Sequence, residues 1–130
     1  MRALIPALLL ALPVGAQEAP LAPEALLDRL VGGSAVFTLP GGAYVGTEYF
    51  PSRARSFWRD AAGRCANGAL SVEADLLCFR YEDRPDEAHC WAPFEGPEGG
   101  LFYRHAGSGE VQAIRPVEGL PFDCVDGLTS

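Results

Sequence analysis

The stretch Leu76-Leu77-Cys78-Phe79-Arg80-Tyr81-Glu82-Asp83-Arg84-Pro85-Asp86-Glu87-Ala88-His89-Cys90-Trp91-Ala92-Pro93-Phe94 decides the fold. Two short apolar runs, Leu76 to Tyr81 and His89 to Phe94, flank a charged loop from Glu82 to Glu87. Strand-length apolar runs joined by a polar loop read as a β-hairpin. If that hairpin is centred on Arg84, residues whose numbers sum to 168 face each other, and Cys78 then faces Cys90. Directly opposed side chains stand about 4.5–5.5 Å apart at Cβ, near the separation a disulfide bridges. Cys65 then has Cys124 as its partner, which ties the tail back onto the sheet. That bridge closes a loop of about 60 residues, and chain-entropy scaling gives it about 4 kcal/mol. Pairing Cys65 with Cys78 would centre a hairpin near Ser71-Val72, against the better turn at Glu73-Ala74-Asp75, and ranks second.

Outward from this hairpin the period stays at two, and turn residues arrive every eight to twelve positions or so. Upstream, strands are expected over Ala35–Leu39, Ala43–Phe50, Ala54–Arg59 and Arg64–Val72. Within the last of these, Asn67-Gly68 marks a bulge or a second tight turn. Downstream, Leu101–His105 and Glu110–Arg115 follow, joined through Gly107-Ser108-Gly109, and the tail from Pro116 shows no period. The expected fold is all-β: an antiparallel meander of about eight short strands, forming a curled sheet or a small barrel. One short helix precedes it. Pro23-Glu24 opens that helix, Leu26, Leu27 and Leu30 share a face, and Gly32-Gly33 ends it.

The first sixteen residues read as a secretory signal peptide. Arg2 supplies the positive charge, Ala3–Val14 the apolar run, and Val14-Gly15-Ala16 the small residues before the cut. The run is too short to cross a hydrocarbon layer of roughly 30 Å as a helix. No membrane span is therefore expected after cleavage. Residues 17–22 are expected to be a mobile leader, and 23–130 a single disulfide-stapled domain. Four cysteines in so short a secreted chain form a disulfide framework. The expected localisation is periplasmic or secreted.

The formal charge is −7, and losing Arg2 with the signal makes it −8. An acidic surface lacks the cations that displace counterions from phosphates, which excludes a nucleic-acid partner. The acidity suits solubility or a basic protein partner. No cofactor motif is present, and cysteines at least twelve residues apart are poor zinc ligands.

The run Leu70–Phe94, with Leu77-Cys78-Phe79 and later Cys90-Trp91, resembles a group of small secreted proteins of unknown function from alphaproteobacteria. The resemblance spans about Leu26 to Phe94. It implies an envelope location and a β fold, and carries over no catalytic residues.

No catalytic residue is assigned. His89 and His105 sit at strand positions, and no G-x-S-x-G elbow accompanies them. The candidate binding residues are Arg55, Phe57 and Arg59, which share one face of a strand while Trp58 takes the other. Exposed arginines there would grip a carboxylate or an acidic partner. The expected function is a non-enzymatic binding or accessory protein whose partner is another envelope or extracellular protein. One version is an inhibitor of a basic enzyme such as a lysozyme. A lipocalin-like small-molecule carrier is the second class, and an unfilled barrel interior would mark it.

Overall fold

The computed structural model describes residues 2–6, 18–119, 121, 123 and 124. Its elements in chain order are β1 (Ala19–Pro20), α1 (Pro23–Leu30), β2 (Ser34–Thr38), β3 (Tyr44–Tyr49), β4 (Arg55–Asp60), β5 (Cys65–Glu73), β6 (Leu76–Tyr81), β7 (Arg84–Glu95), β8 (Leu101–His105) and β9 (Val111–Val117). Strands β2 to β9 pair antiparallel in chain order, and β9 closes back onto β2. The result is an up-and-down barrel of eight strands, which resolves the choice between curled sheet and barrel. Closure leaves no edge strand within the ring.

The period of two decides what lies inside. Phe37 of β2, Trp58 of β4, Leu77 and Phe79 of β6, Trp91 of β7 and Tyr103 of β8 join the central cluster. Phe37, Tyr103 and Trp91 stack in a column, with ring centroids 5.2 and 4.0 Å apart. Glycine makes room where the rings are largest. A Cβ on Gly46 would collide with the Trp58 ring and with the Arg59 carbonyl, and one on Gly68 with the Ser56 hydroxyl.

Helix α1 closes one end of the barrel. Pro23 at its start and Arg29 in its last turn suit the helix ends, and Leu26, Leu27 and Leu30 are buried. These leucines pack with Phe50, Leu70, Leu77 and Leu101, at the end where β2 begins and β3 finishes. Ion pairs Arg29–Glu95 (2.8 Å) and Arg53–Asp28 (2.7 Å) fasten the helix to the wall. The opposite end has no such plug among the described residues.

The disulfides are Cys78–Cys90 and Cys65–Cys124, with Cα separations of 4.0 and 5.8 Å. Register agrees, since Leu77 faces Trp91, Cys78 faces Cys90 and Phe79 faces His89. Three readings differ in detail. The segment Arg84–Ala88, expected as loop, belongs to β7, because the turn needs only Glu82-Asp83 and Pro85–Glu87 bulge out of register. Asn67-Gly68 is neither bulge nor turn; Gly68 pairs with both Ser56 and Tyr81 inside a continuous β5. Within the expected leader, Ala19 and Pro20 pair with Glu95 and Phe94, and Glu18 bonds Arg104 at 2.9 Å. That short β1 takes the side of β7 which β6 leaves uncovered. The expected signal segment lies mostly outside the described residues; Leu4 and Ile5 within it are exposed.

Candidate functional site: the open mouth of the barrel

At the end away from α1, the barrel opens into a cavity of about 330 Å³. Four rings from four strands wall it: Trp58 of β4, Tyr81 of β6, Trp91 of β7 and Tyr103 of β8. Val45, Ala66, His89 and Gln112 also line it, and Asp60, Arg64, Cys65, Asp83 and Arg84 stand at the rim. Val45 turns inward because β3 bulges there: Phe37 pairs with Gly46 and Thr38 with Tyr44. Asp60 shapes its own turn, accepting the backbone N–H groups of Ala62 and Arg64 (both 2.9 Å) and the Arg64 guanidinium at 3.0 Å. Against the desolvation it meets, those donors hold its carboxyl below the usual value.

Beneath the cavity lies Glu48, with 1% of its surface exposed. It faces Ala35 on one side and Trp58 on the other, so its side chain points inward. The Ser56 hydroxyl donates to it at 2.6 Å and the Tyr81 hydroxyl at 2.8 Å. Burial drives its carboxyl up from 4.5 to about 7, and the two hydroxyl donors offset only part of that rise. Burial and the nearby Glu48 charge raise the Tyr81 and Tyr103 phenols well above their ordinary value. A buried carboxylate costs several kcal/mol unless a cation or hydrogen bonds compensate it. Here the compensation among the described residues comes from hydroxyls alone.

Both histidines sit at this end. His105 packs edge-on against Trp91 at 4.8 Å. Its Nδ1 accepts the backbone N–H groups of Gly107 and Ser108 at 3.1 and 3.0 Å, so it organises the β8–β9 turn. His89 stands 3.7 Å from Glu87 and 6.0 Å, ring to ring, from His105. Neither is aligned with a hydroxyl nucleophile among the described residues.

The arginine face is placed as expected and then divided. Arg55, Phe57 and Arg59 lie on the outer surface of β4, with Trp58 inside. Phe57 is buried, however, stacked on Tyr49 at 6.2 Å and packed against Cys124. Arg55 and Arg80 line one hollow of about 370 Å³, and Arg59 and Arg115 line another of about 300 Å³. Phe57 is therefore withdrawn from the face on which Arg55 and Arg59 lie. Glu73 approaches Cys78 and Cys90, but cysteines joined in a disulfide have no thiolate to offer a metal.

Sequence reasoning did not single out Glu48; it placed Trp58 inside, gave His89 no catalytic role, and took Tyr81, Trp91 and Tyr103 as core residues rather than a ligand site. A signal existed: with Trp58 inside, pairing β3 to β4 about Arg53 sets Glu48 opposite it, by the same sum that paired the cysteines. No family model, curated protein or solved structure matches this chain.

Proposed function

We propose that this is a non-enzymatic binding protein of the periplasm or extracellular space that carries a small molecule in the mouth of its barrel. One observation carries the reading: α1 plugs one end of the barrel while the other opens into a ring-walled cavity. An eight-stranded barrel is just wide enough to be filled by side chains or to hold one small ligand. In this barrel the layers near α1 are filled and the mouth is not. The cavity volume falls at the low end of ligand sites, which suits a compact ligand. Among binding roles, the cavity favours a carrier over protein recognition through the outer arginines.

The compartment rests on separate support. Two disulfides suit an oxidising space outside the cytoplasm. No helix among the described residues is long and apolar enough to cross a membrane. The N-terminal charge, apolar run and small-residue cut site add the export signal.

Native mass spectrometry of the protein purified gently from its natural compartment tests both parts. A mass for residues 17–130 less four hydrogens, with an adduct of a few hundred daltons, is the expected result. The chain's two tryptophans, Trp58 and Trp91, both line the cavity, so removal of the adduct should also shift the intrinsic emission. A bare protein whose emission ignores every small-molecule fraction of its source would refute the carrier reading. Retention of Met1, or four free thiols, would refute export.

A further inference from the structure

We infer that the ligand is an uncharged molecule with a flat apolar body and a carbonyl oxygen (a ketone, lactone or ester) that accepts a hydrogen bond from the indole N–H of Trp58 or Trp91. The inference rests on the cavity reading above and names the chemistry of its occupant.

The charges lining the mouth cancel. Asp60 and Asp83 stand there with Arg64 and Arg84, two of each sign. Asp60 is spent on its own turn, bonded to the Arg64 guanidinium at 3.0 Å and to two backbone N–H groups. Arg84 and His89 both face Glu87, at 3.8 and 3.7 Å. A ligand ion of either sign would leave water with no surplus countercharge to receive it, and burying an uncompensated ion is costly. A zwitterion would have to displace the Asp60–Arg64 contact.

The hydroxyl and amide donors of the inner wall are also engaged. Tyr81 donates to Glu48 at 2.8 Å, Tyr103 to the Gln112 amide oxygen at 3.4 Å, and Gln112 to Glu110 at 2.8 Å. Two donors are left over. The indole N–H groups of Trp58 and Trp91 donate to nothing among the described residues, and neither nitrogen is sealed in the core. Both rings line the cavity. An unpartnered donor there selects an acceptor, since a ligand without one would strip the N–H of water and leave it unbonded.

The rings that carry these donors are held in place. Trp58 is seated against the bare Cα of Gly46. Trp91 is stacked on Tyr103 at 4.0 Å, with His105 edge-on at 4.8 Å. Fixed donors lower the ordering cost of binding. The shape of the ligand follows from which ring surfaces are free. Tyr103 is stacked on both Phe37 and Trp91, so it offers the cavity an edge. Trp58 has no stacked neighbour among the described residues, because Phe37 meets it edge-on and Tyr81 at a tilt. Its face, with Val45 and Ala66, is the flat apolar surface left for a ring.

The test uses four benzene derivatives of equal heavy-atom count: acetophenone, isopropylbenzene, benzoate and 1-phenylethylammonium. They are titrated into the intact, oxidised, isotope-labelled protein, whose two tryptophans give two indole N–H resonances. Acetophenone is expected to bind saturably and to move at least one indole resonance downfield, as a hydrogen bond does. Isopropylbenzene is expected to bind without that shift. Both ions should bind at least about tenfold more weakly than acetophenone. Trp58→Phe and Trp91→Phe keep a ring and remove the donor. At least one of them should weaken acetophenone roughly three- to tenfold more than it weakens isopropylbenzene. An ion that binds as tightly as acetophenone would overturn the uncharged assignment while leaving the cavity a ligand site. Indole shifts common to ketone and hydrocarbon would overturn the hydrogen bond, as would Phe variants that weaken both alike, and the proposal falls with it. Should a variant fail to fold, the wild-type shifts decide alone. With no saturable response to any of the four the proposal also falls, and the native mass spectrum still decides the carrier reading separately.

Discussion

Glu48→Gln should change how stability depends on pH, and the size of the change follows from the burial of one carboxyl. In the folded barrel that carboxyl holds its proton up to about pH 7, against 4.5 for the free group. Between those values the folded chain binds a proton that the unfolded chain has released, so stability falls as pH rises. The contribution is fully present below about pH 4.5 and lost once pH passes through 7. At 1.36 kcal/mol per decade of proton affinity, the loss amounts to about 3 kcal/mol. For a domain near 100 residues that corresponds to roughly 10–20 °C in Tm. The assay is equilibrium denaturation with disulfides intact, at intervals from pH 4.5 to 8.5, for wild type and variant. The variant's amide has no proton to lose, so the variant should match wild type near pH 4.5 and exceed it by about 3 kcal/mol at pH 8. The wild type minus variant difference isolates this group. The Asp60 carboxyl, held low, titrates below the window, and the Tyr81 and Tyr103 phenols, raised by burial, titrate above it. Parallel profiles for the two proteins would refute the reasoning, as would a variant less stable than wild type at pH 8.

Three further substitutions examine other parts of the barrel. Replacing Cys65 and Cys124 together by Ser should cost about 4 kcal/mol, and replacing Cys78 and Cys90 about 3, because the bridges span 59 and 12 residues; denaturant midpoints of the two double variants give the order. Gly46→Ala should cost about 1–3 kcal/mol and move the tryptophan emission, since the new methyl displaces the Trp58 ring from the cavity wall. Leu26→Ala removes a fully buried plug side chain and should cost about 2–5 kcal/mol, while leaving the mouth and its emission in place, because α1 sits at the other end.

The eight strands, the helix and the Cys78–Cys90 bridge were legible because each is written locally, and Cys65–Cys124 followed by elimination. Period-two alternation, turn residues and the Cys78–Cys90 sum depend on neighbours a few positions away. Where the reading missed, a non-local cause decided. The Glu82–Glu87 loop looked like one charged unit, yet the hairpin turns on Glu82-Asp83 alone and Pro85–Glu87 bulge outward along β7. Asn67-Gly68 carries a turn signature, but Gly68 is needed flat in β5 to clear Ser56 and the Tyr81 ring. Phe57 reads as available because its strand face carries an arginine on either side. The distant Cys65–Cys124 bridge places Cys124 against it.

The site was harder to read than the fold for a related reason. A glutamate in a strand of an acidic protein is ordinarily a solvent-facing residue, and composition alone gives no cause to think otherwise for Glu48. What sends it inward is the sheet: it must share a face with Ala35 and Trp58, its partners across two registers. What allows it to stay there is a pair of hydroxyls, from Ser56 of β4 and Tyr81 of β6, which both pair with Gly68 of the intervening β5. The cavity above it has the same origin, with rings drawn from β4, β6, β7 and β8 and no two neighbouring in sequence. Closing the barrel is therefore the step that converts scattered strand residues into a site. The residues that wall the mouth are those whose sequence neighbourhood is least informative, since each meets its partners only on other strands.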